Sequence, residues 1–373
     1  MQNKKVLIII IIAIIIAVAI FIVLKKSKKE DEQMPIEYSK DVTVVPTMND
    51  EIKQDTSWCG TFQLVWNDMK NEVVKKDVEF NPQLEMVKNL NKEDFNESML
   101  SEDYYFKIYG LKTLKLKEKI EKGIKEKFNQ TSDIINDFDW NEKELDDSNN
   151  KDKRRYFFYT MLYRKFEFLK EFDELKNGKF GHAEEETKYF GIDKNTNDSV
   201  GNQIDVLYYN SKDDFAILIN TKTNDEVIFC KKPNGNTFNE IYENMNKQAS
   251  NYKGSKEFRD IDEFKAPNLT LNVKREYDEL AGKSFKTADP IYDKAEIQKA
   301  IQTIKFSLDK KGGEIKSEAA IDNLLEATAI KLPIEKEEPR YFYVDDTFAI
   351  FFREKGKAKP YFAGRINDIT KFQ

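Results

Sequence analysis

The hydrophobic pattern begins with its longest apolar run. Val6 to Leu24 is nineteen residues of Val, Leu, Ile, Ala and Phe without a charge. As a helix it spans about 28 Å at ~1.5 Å per residue, close to the ~30 Å hydrocarbon core of a bilayer. A secretory signal has an apolar stretch of only ~7–15 residues and a small-residue cleavage site. Here Lys25, Lys26, Lys28 and Lys29 follow instead. The pattern predicts one uncleaved membrane-spanning helix bounded by Val6 and Leu24, so residues 1–29 are an anchor with basic flanks and the lipid bilayer is an expected partner.

Orientation has two readings. Four lysines after the span, against Lys4 and Lys5 before it, lean towards a cytoplasmic C-terminal part. Short N-terminal tails with their own lysines often stay inside, which puts the bulk of a single-pass chain outside. The extracytoplasmic placement is carried forward as the expectation, with the other left open. Residues 30–55 are polar, contain Pro35 and Pro46, and show no sustained periodicity, so they read as a linker.

Beyond residue 55 the pattern changes. Phe62, Val65, Trp66, Met69 and Val73 recur at three- and four-residue steps and predict an amphipathic helix. Leu116, Ile120, Ile124 and Phe128 repeat that spacing in a Lys/Glu-rich stretch, followed by Ile134, Ile135, Phe138 and Trp140. The aromatic-dense run from Tyr156 to Leu169 predicts a buried strand. The second half alternates as strands do: around Val206, Ile217 and Ile228, then at Leu269, Leu271 and Val273, then at Ile304, Phe306 and Leu308. Phe238, Ile241, Tyr242 and Met245 mark one more helix, and two strands at 341–353 and 360–366 close the chain. One α+β domain over 56–373, with mixed sheets and peripheral helices, is the expected architecture.

Composition narrows the chemistry. The 373 residues hold 61 Lys+Arg against 67 Asp+Glu, a net charge of −6. That supplies no clustered basic footprint, so nucleic acid is not an expected partner. One histidine and two cysteines exclude multi-histidine and four-thiolate metal sites. No phosphate-cradling glycine motif occurs. Neither a metal, a cofactor nor a catalytic residue is expected. One enzyme reading survives as a third choice: Cys59 ahead of the first helix, with His182 downstream, superficially resembles a papain-type pair. His182 precedes the acidic run Glu184-Glu185-Glu186 and the flanking papain signature is missing, so a surface histidine and a packing cysteine are preferred. Whether Cys59 and Cys230 pair stays open.

Five segments carry a family resemblance. Phe342-Tyr343-Val344-Asp345-Asp346-Thr347-Phe348 and the strand after it resemble the serpin sequence F-x-A-D-H-P-F, with Asp346-Thr347 in place of His-Pro. Phe362-Ala363-Gly364-Arg365-Ile366-Asn367 resembles the serpin closing strand F-x-G-R-V-x-N. Lys265-Ala266-Pro267-Asn268-Leu269 with Tyr277-Asp278 resembles the P-K-F-x-[LI] … Y-D-L segment. Thr160 to Phe168 is similar to the central strand of serpin sheet A, and the helix at 116–138 to the helix across that sheet. The segments occur in serpin order over residues 116–370. Between the first helix and residue 116 the chain is about half as long as serpins use there. The resemblance implies a reduced serpin-like fold and a peptidase, or another protein, as partner at an exposed loop over 312–340.

The same resemblance gives the loop its parts. Phe306 to Gly312 resembles the strand entering it, and Ser317-Glu318-Ala319-Ala320 resembles the hinge T-E-A-A. That register puts the scissile bond at Ile330–Lys331. Matching Gly312 to the hinge glycine moves the bond near Glu326–Ala327. In an extended loop Ser317, Ala319 and Ile321 share one face and Glu318, Ala320 and Asp322 the other. Ile321, Asp322 and Asn323 stand where insertion calls for Ala, Ser or Thr. The implied peptidase-inhibitor-family function therefore stands against a non-inhibitory binding or structural module on the same fold.

Overall fold

The computed structural model describes residues 38–141, 155–289, 293–316 and 338–373. Val6 and Leu24 lie outside the described residues, and among the described residues no helix is long and apolar enough to cross a membrane. The chain enters the fold at Ser39, whose N–H donates to the Asn272 carbonyl at 2.6 Å. This shortens the expected linker. β1 (Thr43–Val44) pairs in parallel with β2 (Thr56–Cys59), and Val45, Met48 and Ile52 are buried. A two-residue strand and isolated core contacts leave no period to read.

The first predicted helix is α1 (Thr61–Asp68), continued by a π-helical turn at Met69–Val74. Its Phe62 and Trp66 join Tyr277, Leu280 and Phe285 in a small core, shared by Val87 and Leu90 of α2 (Glu85–Lys92). β3 (Tyr105–Leu111) leads to α3 (Leu114–Phe128). Thr113 caps α3 by accepting from the Leu116 N–H, and Asn129 in the left-handed conformation stops it. The helix expected over 116–138 therefore ends at Phe128.

The aromatic run splits into β4 (Tyr156–Leu162) and β5 (Arg164–Glu167). Next come β6 (Asp173–Lys179), β7 (Glu186–Ile192), β8 (Ile204–Ser211), β9 (Asp214–Asn220), β10 (Asp225–Lys231) and α4 (Phe238–Asn251). β11 (Glu263–Pro267), β12 (Leu269–Glu276), β13 (Lys283–Lys286), β14 (Lys294–Ile297), β15 (Ile301–Asp309) and β16 (Gly312–Lys316) follow. β17 (Tyr341–Tyr343), β18 (Phe348–Glu354) and β19 (Phe362–Ile366) close the chain. The tail strand expected at 341–353 is thus two strands, and they belong to different sheets.

The largest sheet has the order β1-β2-β19-β18-β10-β9-β8. Its central strands are buried almost throughout, and α4 covers it with Phe238, Ile241, Tyr242 and Met245. Burial on both faces explains why β10 and β18 read as near-continuous apolar runs. A second sheet runs β17-β11-β7-β6 and a third β12-β15-β16-β5, with β3-β4 and β13-β14 as two-stranded ribbons. α3 lies on the β3-β4 ribbon: Leu116, Ile120, Ile124 and Phe128 pack against Phe157, Tyr159 and Met161. The architecture is α+β with peripheral helices.

Candidate functional site

The site is a strand position that, among the described residues, is filled only in its first half. β15 runs to Asp309 and reverses at Lys310-Lys311, where the Asp309 carboxylate accepts the Lys311 N–H at 2.8 Å. The Lys310 and Lys311 carbonyls accept from Phe172 and Phe168, each at 2.9 Å, which stitches the turn to the segment after β5. β16 then returns between β15 and β5, antiparallel to both, so β15 and β5 run parallel to each other. The strand expected to enter the loop, Phe306 to Gly312, is therefore a strand and a turn; the strand that enters is Gly312–Lys316.

Two glycines make this possible. Gly312 sits at φ +149, and a Cβ there would lie 2.1 Å from the Phe166 carbonyl oxygen. A Cβ on Gly313 would lie 2.6 Å from the Phe166 ring and 2.8 Å from the Ser307 carbonyl oxygen. The next core-facing residue, Ile315, is 1% exposed and joins the main core with Phe166, Phe306 and Leu308. Glu314 and Lys316 face the opposite way and are half-buried.

Below Lys316 the sheet is open among the described residues. β15 pairs with β16 only from Lys305 to Asp309, and β5 pairs with it only from Arg164 to Glu167. Among the described residues, Ile301–Ile304 of β15 pair on one side only, with β12, and β4 pairs only with β3. The gap between them is a groove of about 980 Å³. Phe62, Trp66 and Met69 of α1 and its π turn line it from the core side, and residues 133–139 line it from outside. Thr160 of β4 leaves its buried hydroxyl without a hydrogen-bond partner at this edge. Unpaired strand edges facing each other across a groove are an acceptor for one more strand.

Buried charge braces one wall. Arg164 on β5 is fully buried, with Nε 2.5 Å from Asp225 of β10 and a second nitrogen 2.9 Å from Glu354 of β18. Its guanidinium lies 3.6 Å over the Tyr104 ring, and the Tyr361 hydroxyl donates to Asp225 at 2.7 Å. Burial pushes the Glu354 carboxyl up, but hydrogen bonds from Ser101 and Arg164 outweigh it and hold the group below the usual carboxylate range. A paired buried arginine fixes where β5 sits on the large sheet.

The far end of the loop is clamped. Arg340, just before β17, makes ion-paired contacts with Asp262 at 2.7 Å and donates to the Ser255 carbonyl at 2.8 Å and the Glu257 carbonyl at 2.5 Å. Arg259 also binds Asp262, at 2.8 Å, and donates to the Glu338 carbonyl at 2.8 Å. Burial raises the Asp262 carboxyl, yet the hydrogen bonds from Arg259 and Arg340 prevail and keep it below its ordinary value.

The hinge residues Ser317, Glu318, Ala319 and Ala320 and the bond Ile330–Lys331 lie outside the described residues, as do Glu326 and Ala327. The structure brings together the two flanks of that loop and the open strand edges. It does not assemble a peptidase site at Cys59. That thiol is buried in β2 opposite Phe362, and burial pushes its pKa up to about 11. His182 sits in an exposed turn after β6. Cys59 and Cys230 are both buried free thiols. Among the described residues no cluster of His, Cys, Asp or Glu could hold a metal. The buried charges at Arg164 and Asp262 escaped the sequence, because single charged residues on alternating strands carry no spacing signal. The Gly312-Gly313 pair was the visible clue to the half-filled strand.

The crystal structure of mouse protein-Z dependent protease inhibitor is similar to this chain, with a TM-score of 0.50 at 11% identity, covering 85% of this chain and 92% of that one. The fold is serpin-like. Thyroxine-binding globulin in complex with thyroxine aligns with a TM-score of 0.45 at 11% identity, over 85% of this chain and 93% of that one. Serpin48, described as a highly specific serpin in the insect Tenebrio molitor, aligns at 0.40 and 13%, over 84% and 92%. No protein-family model matches the chain, and neither does any curated protein. Within this serpin-like frame two of the resembling segments meet: Thr347, where the family has proline, donates through its hydroxyl to the Asn367 side chain at 2.8 Å.

Proposed function

We propose that this is a membrane-anchored, peptidase-inhibitor-like protein whose 317–337 loop responds to cleavage by extending β16 down the open groove. The observation that carries the reading is β16 itself, seated between β15 and β5 with edges directly below it that are unpaired among the described residues. Continuing its register sets Ser317 between Ile304 and Leu162, Glu318 between Thr303 and Met161, and Ala319 between Gln302 and Thr160. Ser317, Ala319 and Ile321 then share the core-facing side of Gly313 and Ile315, where a small-residue start is an advantage. Glu318 and Asp322 share the outer side with Glu314 and Lys316. The charge at Asp322 therefore does not enter the core, which removes one objection to insertion.

The same register supports the second of the two scissile bonds. With Gly312 as the hinge glycine, the bond moves from Ile330–Lys331 to the neighbourhood of Glu326–Ala327. The partner is then an extracytoplasmic peptidase that cleaves after glutamate, met at the membrane surface through the anchor Val6–Leu24. Incubating the full chain in detergent micelles with glutamate-specific and trypsin-like endopeptidases tests this. The expected result is an SDS-resistant complex with the former, a cut at Glu326, and a raised Tm of the cleaved chain. Cleavage at Lys331 alone overturns the register. Clean cleavage with neither trapping nor a rise in Tm leaves the non-inhibitory binding module as the better reading.

A further inference from the structure

β3 has one paired edge and one bare edge. The strand, its partner β4 and α3 above them are described from end to end. At the two ends of the β3–β4 ladder the Tyr163 N–H donates to the Tyr104 carbonyl at 3.3 Å and the Lys112 N–H to the Arg155 carbonyl at 2.8 Å. Antiparallel bonding alternates, so the even-numbered residues of β3 turn their backbone groups to β4 and the odd-numbered ones turn theirs away. The Tyr105 carbonyl agrees: it accepts from Lys127 Nζ of α3 at 2.8 Å. Beyond it, the outward N–H and C=O groups of Lys107, Tyr109 and Leu111 have no hydrogen-bond partner among the described residues.

A bare edge is ordinarily blunted by a free charge, a proline or a bulge. β3 has no proline, and its register with β4 is unbroken. Its one charge, Lys107, is engaged within the chain by Asp68 at 2.6 Å and by Glu97. The strand also carries a glycine that the fold does not call for. A Cβ on Gly110 would meet Leu116 at 3.7 Å, an ordinary contact, and the backbone there is not left-handed. Glycine inside a strand often marks the close approach of another backbone. Beside it Tyr109 is 39% exposed, with the Phe158 ring stacked on it at 5.7 Å.

We propose that the bare edge is a self-association site, on which β3 of a second copy pairs antiparallel, centred on Tyr109. Lys127 closes the edge at Tyr105, so the free stretch is 107–111 and its midpoint sets the register. Lys107 then opposes Leu111 and Tyr109 opposes itself, so no like charges meet. Ile108 opposes Gly110 in a non-hydrogen-bonded pair, where side chains stand closest, and the missing Cβ makes room for the isoleucine. The two ribbons join as one four-stranded sheet, with the rings of Phe158 and Tyr109 from both copies in a row across it. A twofold contact of this kind closes on itself and stops at the dimer. It involves neither the loop nor the groove.

The test uses the full chain in detergent micelles. Tyr109→Cys should give a disulfide-linked dimer on mild oxidation, because its two copies stand with Cα atoms about 5.5 Å apart. Leu111→Cys should not, because its copies lie about 14 Å apart at ~3.4 Å per residue. Cys59 and Cys230 are buried, so the wild type supplies the background. Tyr109→Lys sets like charges face to face and should weaken association about tenfold. Glu72, 3.2 Å from the Tyr109 hydroxyl, gives that lysine a partner within its own chain. Leu111→Pro removes one outward N–H without touching the β4 ladder, and it carries the test if Tyr109→Lys fails to fold. In the wild type, the amides of Lys107, Tyr109 and Leu111 should gain hydrogen-exchange protection as the protein-to-detergent ratio rises. A monomer at every ratio overturns the proposal. A dimer that forms equally well in Tyr109→Lys and Leu111→Pro, or one that cross-links through Leu111→Cys, overturns it too.

Discussion

The two ends of the 317–337 loop are held by different physics. At Lys316 the chain hangs from a backbone ladder whose next rows are unpaired among the described residues, with half-buried lysines and one aspartate around it. At Glu338 to Arg340 it is locked by two arginines on the buried Asp262, together with three backbone carbonyls. A ladder can lengthen by one residue at a time. A buried carboxylate with two guanidiniums has one geometry, and leaving it strands a charge in the core. The contrast assigns movement to the first end and fixity to the second.

The largest effect should come from breaking the fixed end. Asp262→Ala leaves Arg340, whose side chain is 10% exposed, without its carboxylate. A loss of about 3–5 kcal/mol is expected for one partner of a buried pair. Chemical denaturation measures it, and a loss under about 1 kcal/mol would show that Asp262 is an ordinary surface pair. At the movable end, Gly312→Ala forces a Cβ to within 2.1 Å of the Phe166 carbonyl oxygen. The cost should be about 1–3 kcal/mol, met by releasing β16 rather than by shifting β5, which Arg164 pins. Hydrogen exchange separates these: amides of Ile315 and Lys316 lose protection while those of β5 keep theirs.

Acid should act on the fixed end and on the β5 anchor together. Asp262 and Glu354 both titrate below their ordinary values in the folded chain, because their arginine and serine hydrogen bonds outweigh burial. Groups with a lowered folded pKa contribute stability that is complete above the unfolded value, ~4, and is lost as pH falls through the folded one. Stability should therefore be flat down to about pH 5 and fall below about pH 4. In Glu354→Gln that acid-dependent part should shrink. An unchanged pH profile would mean that Glu354 contributes nothing through its charge.

How much of this contrast was legible in the chain depends on what each end is made of. α1, α3 and α4 were readable because Phe62/Trp66, Ile120/Ile124 and Phe238/Ile241 keep a helical period. β10 and β18 were readable because burial on both faces leaves Val227–Cys230 and Phe348–Phe352 without a polar residue. The serpin-like order of the segments was visible from 116 onward. β16 showed only through its Gly312-Gly313 pair: it has one large core side chain, Ile315, flanked by Glu314 and Lys316, so no alternation could be seen. The clamp was hidden too, because Asp262 and Arg340 meet across 78 positions of sequence that hold β11 to β16.

The smallest expected effect asks how far the fixed end extends. After β17 the chain bends through Asp345 and Thr347 into β18, and Thr347 is tied by its hydroxyl to Asn367, 2.8 Å away. Asp345 is tied by Lys231 at 2.8 Å and Lys265 at 2.9 Å. Proline would hold this bend through its backbone; threonine holds it through one side-chain hydrogen bond. Thr347→Val keeps the shape and removes that bond, leaving the Asn367 oxygen to find water. A loss of about 0.5–1.5 kcal/mol is expected, seen as a Tm lower by a few degrees. Because Arg340 already isolates the bend from the loop, the rate of loop cleavage should not change. A faster cut in Thr347→Val would mean that the clamp at Asp262 yields and that fixity begins only at β18.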